Sequence, residues 1–544
     1  MDRIVLHIAA TAVCLTSALG ASAGTANVIP LPVSVEERDG QFVIDSSTHV
    51  IAEGEAAIEA AKLIEALASA MEYRLKPGKR VLNSIQLDIV PSLEGKLGEE
   101  GYELEVTEQA IRLRATKGTG LFYGIQTLRQ LMPPVIFGQR KVEGVRWAVP
   151  CVHIIDSPRF QWRGLLIDPA RHFIPVRDVE RYIDTMALHK FNRLQIHFTD
   201  NQGWRIEIKK YPKLTEIGAW MDFTTFRQKN SAKKVGGFYT QDEIRHLVRY
   251  AAQCYVTIVP EIEMPAHTGA AIVSYPQIGL YPEKLNALKP EARWWANERV
   301  LAPRPKTVAF MQDVLTEVME LFPSQYIHIG GDEANIGHWK KSEEMQALKQ
   351  TLGLKDEEEL HSWFIRQMDE FLTRHGRRLV GWDQIIQGGL APGATVMSYR
   401  GQAGGITAAK ADHDVVMAPS SHTYFDLYQG PKENEPRAIG GYVPIEKTYT
   451  FEPIPAELNV EEARHVLGGQ GQLWGEYIDN QKHREYMTYP RAAALCEVLW
   501  SPRDNHNYDE FVSRLSEHLK RLDAAEVNYR PLDTPAWSIS VRFE

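Results

Sequence analysis

The stretch Tyr326-Ile327-His328-Ile329-Gly330-Gly331-Asp332-Glu333 sets the reading of the whole chain. Residues 326–329 have the length and apolar character of a short buried strand. Two glycines then let the backbone turn, and two adjacent carboxylates follow. The same grammar recurs seven more times. Residues 163–167 lead to Asp168 and Arg171, 194–198 to Asp200, and 256–259 to Glu261, Glu263 and His267. Residues 378–380 lead to Trp382 and Asp383, 395–398 to Tyr399, 415–418 to Tyr424 and Asp426, and 466–473 to Trp474 and Glu476. Amphipathic stretches at 179–189, 242–252, 306–321 and 359–375 fall between several of these runs. Eight short buried strands alternating with helices predict an α/β fold, a (β/α)8 TIM barrel. Functional residues of such barrels sit at the C-terminal ends of the strands, where these polar and aromatic residues fall. The fifth and sixth runs, beginning at 378 and 395, leave little room for a helix between them.

The chain has 544 residues, more than one hydrophobic core serves, because cores stop growing near ~250–300 residues. The barrel domain is read over 158–544, ending in a helix at 508–522 and a packed tail in the last dozen residues. Ahead of it, residues 27–155 read as a small α+β domain. A helix over 55–71 puts Ala57, Ala61, Ile64, Ala68 and Met71 on one face. Ser84–Ile89 alternates as a half-buried strand, and Tyr102, Leu104, Val106 and then Ile111, Leu113, Ala115 mark a hairpin. A second helix at 119–132 stops at Pro133-Pro134. Residues 211–239 and 429–459 are long insertions that read as active-site loops.

Composition excludes whole classes. Apolar residues make up 44% and charged residues 24%, ordinary globular usage that argues against collagen, coiled coil and disorder. A net charge of −9 without a basic block argues against a nucleic-acid binder. Residues 4–19 are mostly apolar, too short to span a bilayer, and Ala21-Ser22-Ala23 offers a small-residue cleavage pattern. Residues 1–23 are therefore read as a signal peptide, and the protein as secreted or periplasmic, with no membrane span. Cleavage leaves Cys151, Cys254 and Cys496, each beside apolar residues and read as buried free thiols. The absence of any Asn-x-Ser/Thr acceptor leans toward a bacterial exported protein.

Asp332 and Glu333 have a bland reading, the N-cap and first-turn acid of a helix starting near Ala334. Their recurrence with matching groups at seven other strand ends favours chemistry. Asp200, His267 and Glu333 form a second pattern, in which a histidine between two carboxylates holds one of them and tunes its proton affinity. Trp382, Tyr399, Tyr424 and Trp474 lie just beyond barrel strands and suit the apolar face of a sugar; Trp500, in an apolar run, suits the core.

These motifs, taken in order, resemble a known family. They are Asp168-Pro169-Ala170-Arg171-His172-Phe173, His197-Phe198-Thr199-Asp200-Asn201-Gln202-Gly203-Trp204-Arg205, and Pro260-Glu261-Ile262-Glu263-Met264-Pro265-Ala266-His267. The Gly-Gly-Asp-Glu turn, Gly381-Trp382-Asp383 and Leu473-Trp474-Gly475-Glu476 complete the set. The chain is similar to the β-N-acetylhexosaminidases of glycoside hydrolase family 20, from about residue 27 to at least Trp500. The resemblance implies an exo-acting, retaining enzyme that removes terminal β-linked N-acetylglucosamine or N-acetylgalactosamine, with the substrate's acetamide as nucleophile and no cofactor or metal. It implies Glu333 as general acid/base, Asp332 and Tyr424 on the acetamide, and Asp200 and His267 in support of Glu333. It implies Trp382, Tyr399 and Trp474 around the N-acetyl group and ring, and Arg171, Asp426 and Glu476 on ring hydroxyls. Tyr399 stands where the family usually has a tryptophan, which implies a wetter pocket wall. Asn201 and Gln384 occupy positions often acidic in relatives and are given no chemical role. Two rival readings keep the barrel and change the function: a metal-dependent hydrolase using His328, Asp332, Glu333 and His267 as ligands, and a non-catalytic glycan-binding protein.

Overall fold

The computed structural model describes residues 26–79, 82–222 and 234–532. The signal peptide and the packed tail expected from sequence lie outside the described residues. Eight parallel strands close into a barrel. In chain order they are Trp162–Ile167, Arg193–His197, Thr257–Glu261, Tyr326–His328, Arg378–Trp382, Thr395–Ser398, Val415–Met417 and Val466–Leu473. Closure comes from the eighth strand, which runs beside the first from Gly468 opposite Trp162 to Leu473 opposite Ile167. The first and last strands are buried along their whole length, which is why they read as continuous apolar or glycine-rich runs rather than alternating ones. The predicted TIM barrel is thus present, with every strand within a few residues of its sequence reading.

The four helical stretches form Val176–Leu188, Gln241–Gln253, Pro305–Leu321 and Glu357–Arg374. Sequence explains their starts. Thr240 and Glu243 make a reciprocal capping box, and Asp356 accepts from the Glu359 amide. Between the fifth and sixth strands, only the single 3-10 turn Asp383–Ile386 fits in the short connection. The run ending in Trp500 is a helix, Arg491–Trp500, buried on every side.

Ahead of the barrel stands a seven-stranded mixed sheet. Its spatial order is Ser34–Ile44, Trp147–Asp156, Tyr102–Val106, Ala110–Ala115, Ser84–Ile89, His49–Ala52 and Lys76–Pro77. Helices Ala56–Ala68 and Gly118–Gln130 pack with it. The first helix corrects the sequence reading. Its buried face is Ala56, Ala60, Leu63, Ile64 and Leu67, one position round from the predicted stripe, and Ala57 and Ala61 are exposed. The two leucines bury far more apolar area than alanines can, so they fix which way the helix turns. Cys151 and Cys496 are buried and Cys254 is half-buried, all three as free thiols.

A buried ion pair joins the two units. Asp156 ends a strand of the N-terminal sheet, and Lys190 follows the first barrel helix; neither side chain is exposed at all. Lys190 Nζ lies 2.9 Å from Asp156 Oδ2 and 3.0 Å from the Tyr102 hydroxyl. Asp156 also accepts from Tyr102 Oη at 2.6 Å, Trp500 Nε1 at 2.9 Å and the Val33 amide at 3.1 Å. Trp500 is therefore a clasp between the two units rather than part of a sugar site. Removing one partner from such a pair strands a buried charge, so Asp156→Ala should lower stability by ~3–5 kcal/mol in equilibrium urea unfolding. A loss under ~1 kcal/mol would remove this pair from the joint.

Candidate active site

The eight strands deliver their end residues into one pocket, and its floor is charged. Glu261, the last residue of the third strand, accepts from Gln195 Nε2 at 2.8 Å and Trp382 Nε1 at 2.9 Å. His197 Nδ1 stands 2.7 Å from Glu261, and its Nε2 stands 3.2 Å from Asp200. All three side chains are buried. Against the cost of its own burial, the two carboxylates push the His197 imidazole up to about 10, so it is a cation at neutral pH. It holds Glu261 well below the usual carboxylate range.

Above this floor, Asp200 meets two further cations. Oδ2 lies 2.6 Å from Arg171, and Oδ1 lies 3.2 Å from His267 Nδ1. The far nitrogen of His267 reaches Glu333 at 3.4 Å and Asp332 at 3.7 Å. The expected Asp200–His267–Glu333 constellation is assembled, and its electrostatics have a definite sense. Asp200 raises His267 well above its ordinary value, and the hydrogen bond from His267 draws Glu333 below the usual range. In the open site the pair holds one proton, and that proton rests on the histidine.

Asp332 and Glu333 are neighbours with opposite surroundings. The Glu333 side chain is 64% exposed and Asp332 only 13%. Burial pushes the Asp332 carboxyl up, with Glu261 and Glu333 adding to the rise and His267 opposing it. No helix starts at Ala334. The next one, Gly337–Lys340, has Ile336 at its cap, so the N-cap reading of the two acids does not hold. The turn instead places them by backbone strain. Gly330 and Gly331 have φ of 70° and 92°, and Glu333 and His267 are left-handed at 49° and 52°. The Gly330 amide donates to His328 Nδ1 at 3.0 Å, and the Glu333 amide to Gln384 Oε1 at 2.5 Å.

The opposite side of the pocket is a polar cradle. Arg171 takes Asp168 at 2.8 Å and Asp200 at 2.6 Å, with Glu476 at 3.6 Å. Its Nε is buried without a partner, and so are Asp426 Oδ1 and Glu476 Oε2. Burial and the nearby Glu476 charge push Asp426 well up. Buried polar atoms are ordinarily hydrogen-bonded, so this set marks where a polyol belongs. Aromatic rings wall the space. Trp382 stands 5.5 Å from Tyr399 and 5.7 Å from Trp474, and Tyr424 stands 6.5 Å from Trp474. The Tyr399 hydroxyl donates to Gln384 Oε1 at 3.2 Å.

The catalytic and sugar-binding residues named from sequence thus gather in one pocket, whereas Trp500 lies at the joint between the units and Asp383 is held by Arg400. Sequence reading gave no role to four that shape it: Asp168, which orients Arg171; His197 and Glu261, which charge the floor; and Gln384, which ties Glu333 to Tyr399. Their signal was present in the strand-end motifs, but only barrel closure shows that they point inward. His328 departs from the metal reading, because its ring packs on Trp382 at 4.8 Å and its Nδ1 is taken by the Gly330 amide. Of that reading's four ligands, His267, Asp332 and Glu333 come within 4.8 Å of one another, and His328 does not join them. A Cβ at Gly330 would overlap the Glu263 carboxylate at a φ that side chains avoid. Gly330→Ala should therefore displace the turn and lower kcat/KM by at least ~10²-fold; near-normal kinetics would show that the turn does not position the acids.

Comparison with known proteins agrees with this geometry. Residues 160–503 match the model for glycosyl hydrolase family 20, catalytic domain, and residues 25–157 match that for glycosyl hydrolase family 20, domain 2. The chain is 41% identical to a β-hexosaminidase of Porphyromonas gingivalis over 92% of its own length, spanning 64% of that relative. It is 35% identical to a β-hexosaminidase of Vibrio furnissii, covering 87% of this chain and 76% of the other. Among solved structures, it is similar to the exo-β-N-acetylglucosaminidase of Vibrio harveyi in complex with N-acetylglucosamine, at a TM-score of 0.82 and 33% identity over 95% of this chain and 80% of that one. The N-acetyl-β-hexosaminidase of Streptomyces plicatus in complex with thio-NAglucal gives 0.80 and 30%, over 93% and 96%. With its catalytic-domain match covering most of the chain and the strand-end acids in one pocket, the chain belongs to glycosyl hydrolase family 20.

Proposed function

We propose that this protein is an exo-acting, retaining β-N-acetylhexosaminidase in which the substrate's acetamide is the nucleophile. The observation that carries this reading is the pair Asp332 and Glu333, adjacent in sequence and opposite in environment. Neighbouring residues do not straddle a glycosidic bond as a separate acid and nucleophile do, and this family is among those in which the substrate supplies the nucleophile. Two acids in contrasting surroundings take two roles. Exposed Glu333 meets the leaving oxygen, while buried Asp332 faces the aromatic enclosure that fits an N-acetyl group.

The steps follow from the charges. Arg171, Asp426 and Glu476 bind hydroxyls of the terminal sugar, and Trp382, Tyr399 and Trp474 enclose the acetamide. The acetamide oxygen attacks the anomeric carbon as the glycosidic bond breaks, and Glu333 protonates the departing oxygen. The proton comes from within the His267–Glu333 pair, as the leaving oxygen's growing basicity draws it across. Asp332 and Tyr424 hold the acetamide, and the Asp332 carboxylate offsets positive charge growing on nitrogen in the oxazolinium. Water assisted by Glu333 then opens the ring from the face the leaving group vacated, with overall retention. Residues 1–23 further support action outside the cytoplasm on free or cell-surface glycans.

Intramolecular attack draws on effective molarities of ~10⁵ M or more. An aryl β-glucoside should then react at least ~10³-fold more slowly than the matching N-acetylglucosaminide. Comparable rates would end the substrate-assisted reading. Glu333→Gln should slow substrates with poor leaving groups far more than activated aryl glycosides, which need little protonation; equal losses would take the acid role from Glu333.

A further inference from the structure

Glu263 lies two residues beyond the third barrel strand, and the reaction scheme leaves it idle. Its side chain is 1% exposed, and its amide is fixed by Thr199 Oγ1 at 2.9 Å. Its carboxyl is in hydrogen-bond contact with Asp332. Yet neither Glu263 Oε2 nor Asp332 Oδ1 receives a hydrogen bond from any protein donor. Two buried carboxylates pressed together without a donor would repel strongly, and an unmet acceptor at such depth is costly. A proton held between them satisfies both.

The surroundings decide which acid carries it. From the second strand and its turn, Glu263 is faced by His197 and Asp200; from its own strand, by Glu261; from the turn after the fourth strand, by Asp332. His197, the cation nearest in this group, is already held by Glu261 and Asp200. The carboxylates at Asp332, Glu261 and Asp200 push Glu263 well above the usual range, with burial the largest cause. Asp332, by contrast, faces the charged His267, which opposes its rise.

We propose that Glu263 is a positioning residue that stays protonated during catalysis and donates its proton in a hydrogen bond to Asp332, fixing that carboxylate in its ionised form toward the substrate acetamide. The idea rests on the acetamide reading above for its purpose, but not for its chemistry. The bond supplies Asp332 with a donor on the side away from substrate, leaving its other oxygen for the acetamide nitrogen. It also accounts for Gly330, since any larger residue there would push into the Glu263 carboxyl.

The test uses the full chain labelled with carboxyl-¹³C glutamate. Difference infrared spectra of Glu263→Gln against wild type at neutral pH should lose the band of a protonated glutamate carboxyl. No such band in wild type, or an unchanged band in the variant, overturns the proposal. Kinetics supply the second arm. Glu263→Gln keeps a donor and should stay within ~10-fold of wild type in kcat/KM, whereas Glu263→Met removes the donor and should lose ~10²–10³-fold. Equal losses in the two variants would overturn the proposal, because side-chain shape alone would then be at work. If Glu263→Met does not fold, the band carries the test alone. The glucoside comparison on wild type fails independently if the acetamide is not the nucleophile, and leaves the band unaffected.

Discussion

One buried chain of opposite charges organises this molecule's working end. It runs from Glu261 through His197, Asp200 and His267 to Glu333, with Arg171 attached at Asp200, and no two like charges are consecutive. Ions this deep are tolerated only when paired and hydrogen-bonded, so each member needs both its neighbours. The chain reaches from the barrel floor to the solvent-facing acid. Its links come from the first four strands and the loops that follow them, and any slip of register between those strands would break it. The barrel is therefore more than a scaffold, since its closure aligns the charges.

The same constraint explains the backbone. Glu333 and His267 sit in the left-handed region, which costs of order 1–3 kcal/mol each, and their mutual bond and the Gln384 anchor hold them there. The glycines at 330 and 331 let the strand fold back over Glu263 and present one acid inward and one outward. Strain and charge are thus concentrated in one turn. Stability lies elsewhere, in the apolar barrel strands, the buried helix Arg491–Trp500 and the Asp156–Lys190 joint beneath it.

Much of this was legible in the sequence, for a physical reason. A barrel strand is short, apolar and followed by the residues it presents, so eight strand ends could be read directly, and their polar residues converge once the barrel closes. Depth was less legible. Glu261 and Glu263 look alike in Pro260-Glu261-Ile262-Glu263, yet one is an anion pinned by Gln195, Trp382 and His197 and the other a neutral acid; only their partners differ. The strand Ser34–Ile44 was not recognisable, because it is an edge strand that is mostly exposed and carries the charged run Glu36-Glu37-Arg38-Asp39, held by pairing with Trp147–Asp156. The face of the helix Ala56–Ala68 was misread by one position because its alanines form a stripe as regular as its leucines, and area rather than spacing decides burial.

The central claim is that the protein spends its deepest charges on orienting a nucleophile it does not itself supply. The most direct measurement is kcat/KM for one aryl leaving group on sugars whose N-acetyl group carries zero, one, two and three fluorines. Each fluorine makes the amide oxygen a poorer nucleophile while hardly changing its size. If that oxygen attacks the anomeric carbon, the rate falls steeply and regularly along the series, by at least ~10³-fold overall, a part of the advantage that intramolecular attack provides. A flat response, with trifluoroacetyl and acetyl substrates turned over alike, would contradict the account.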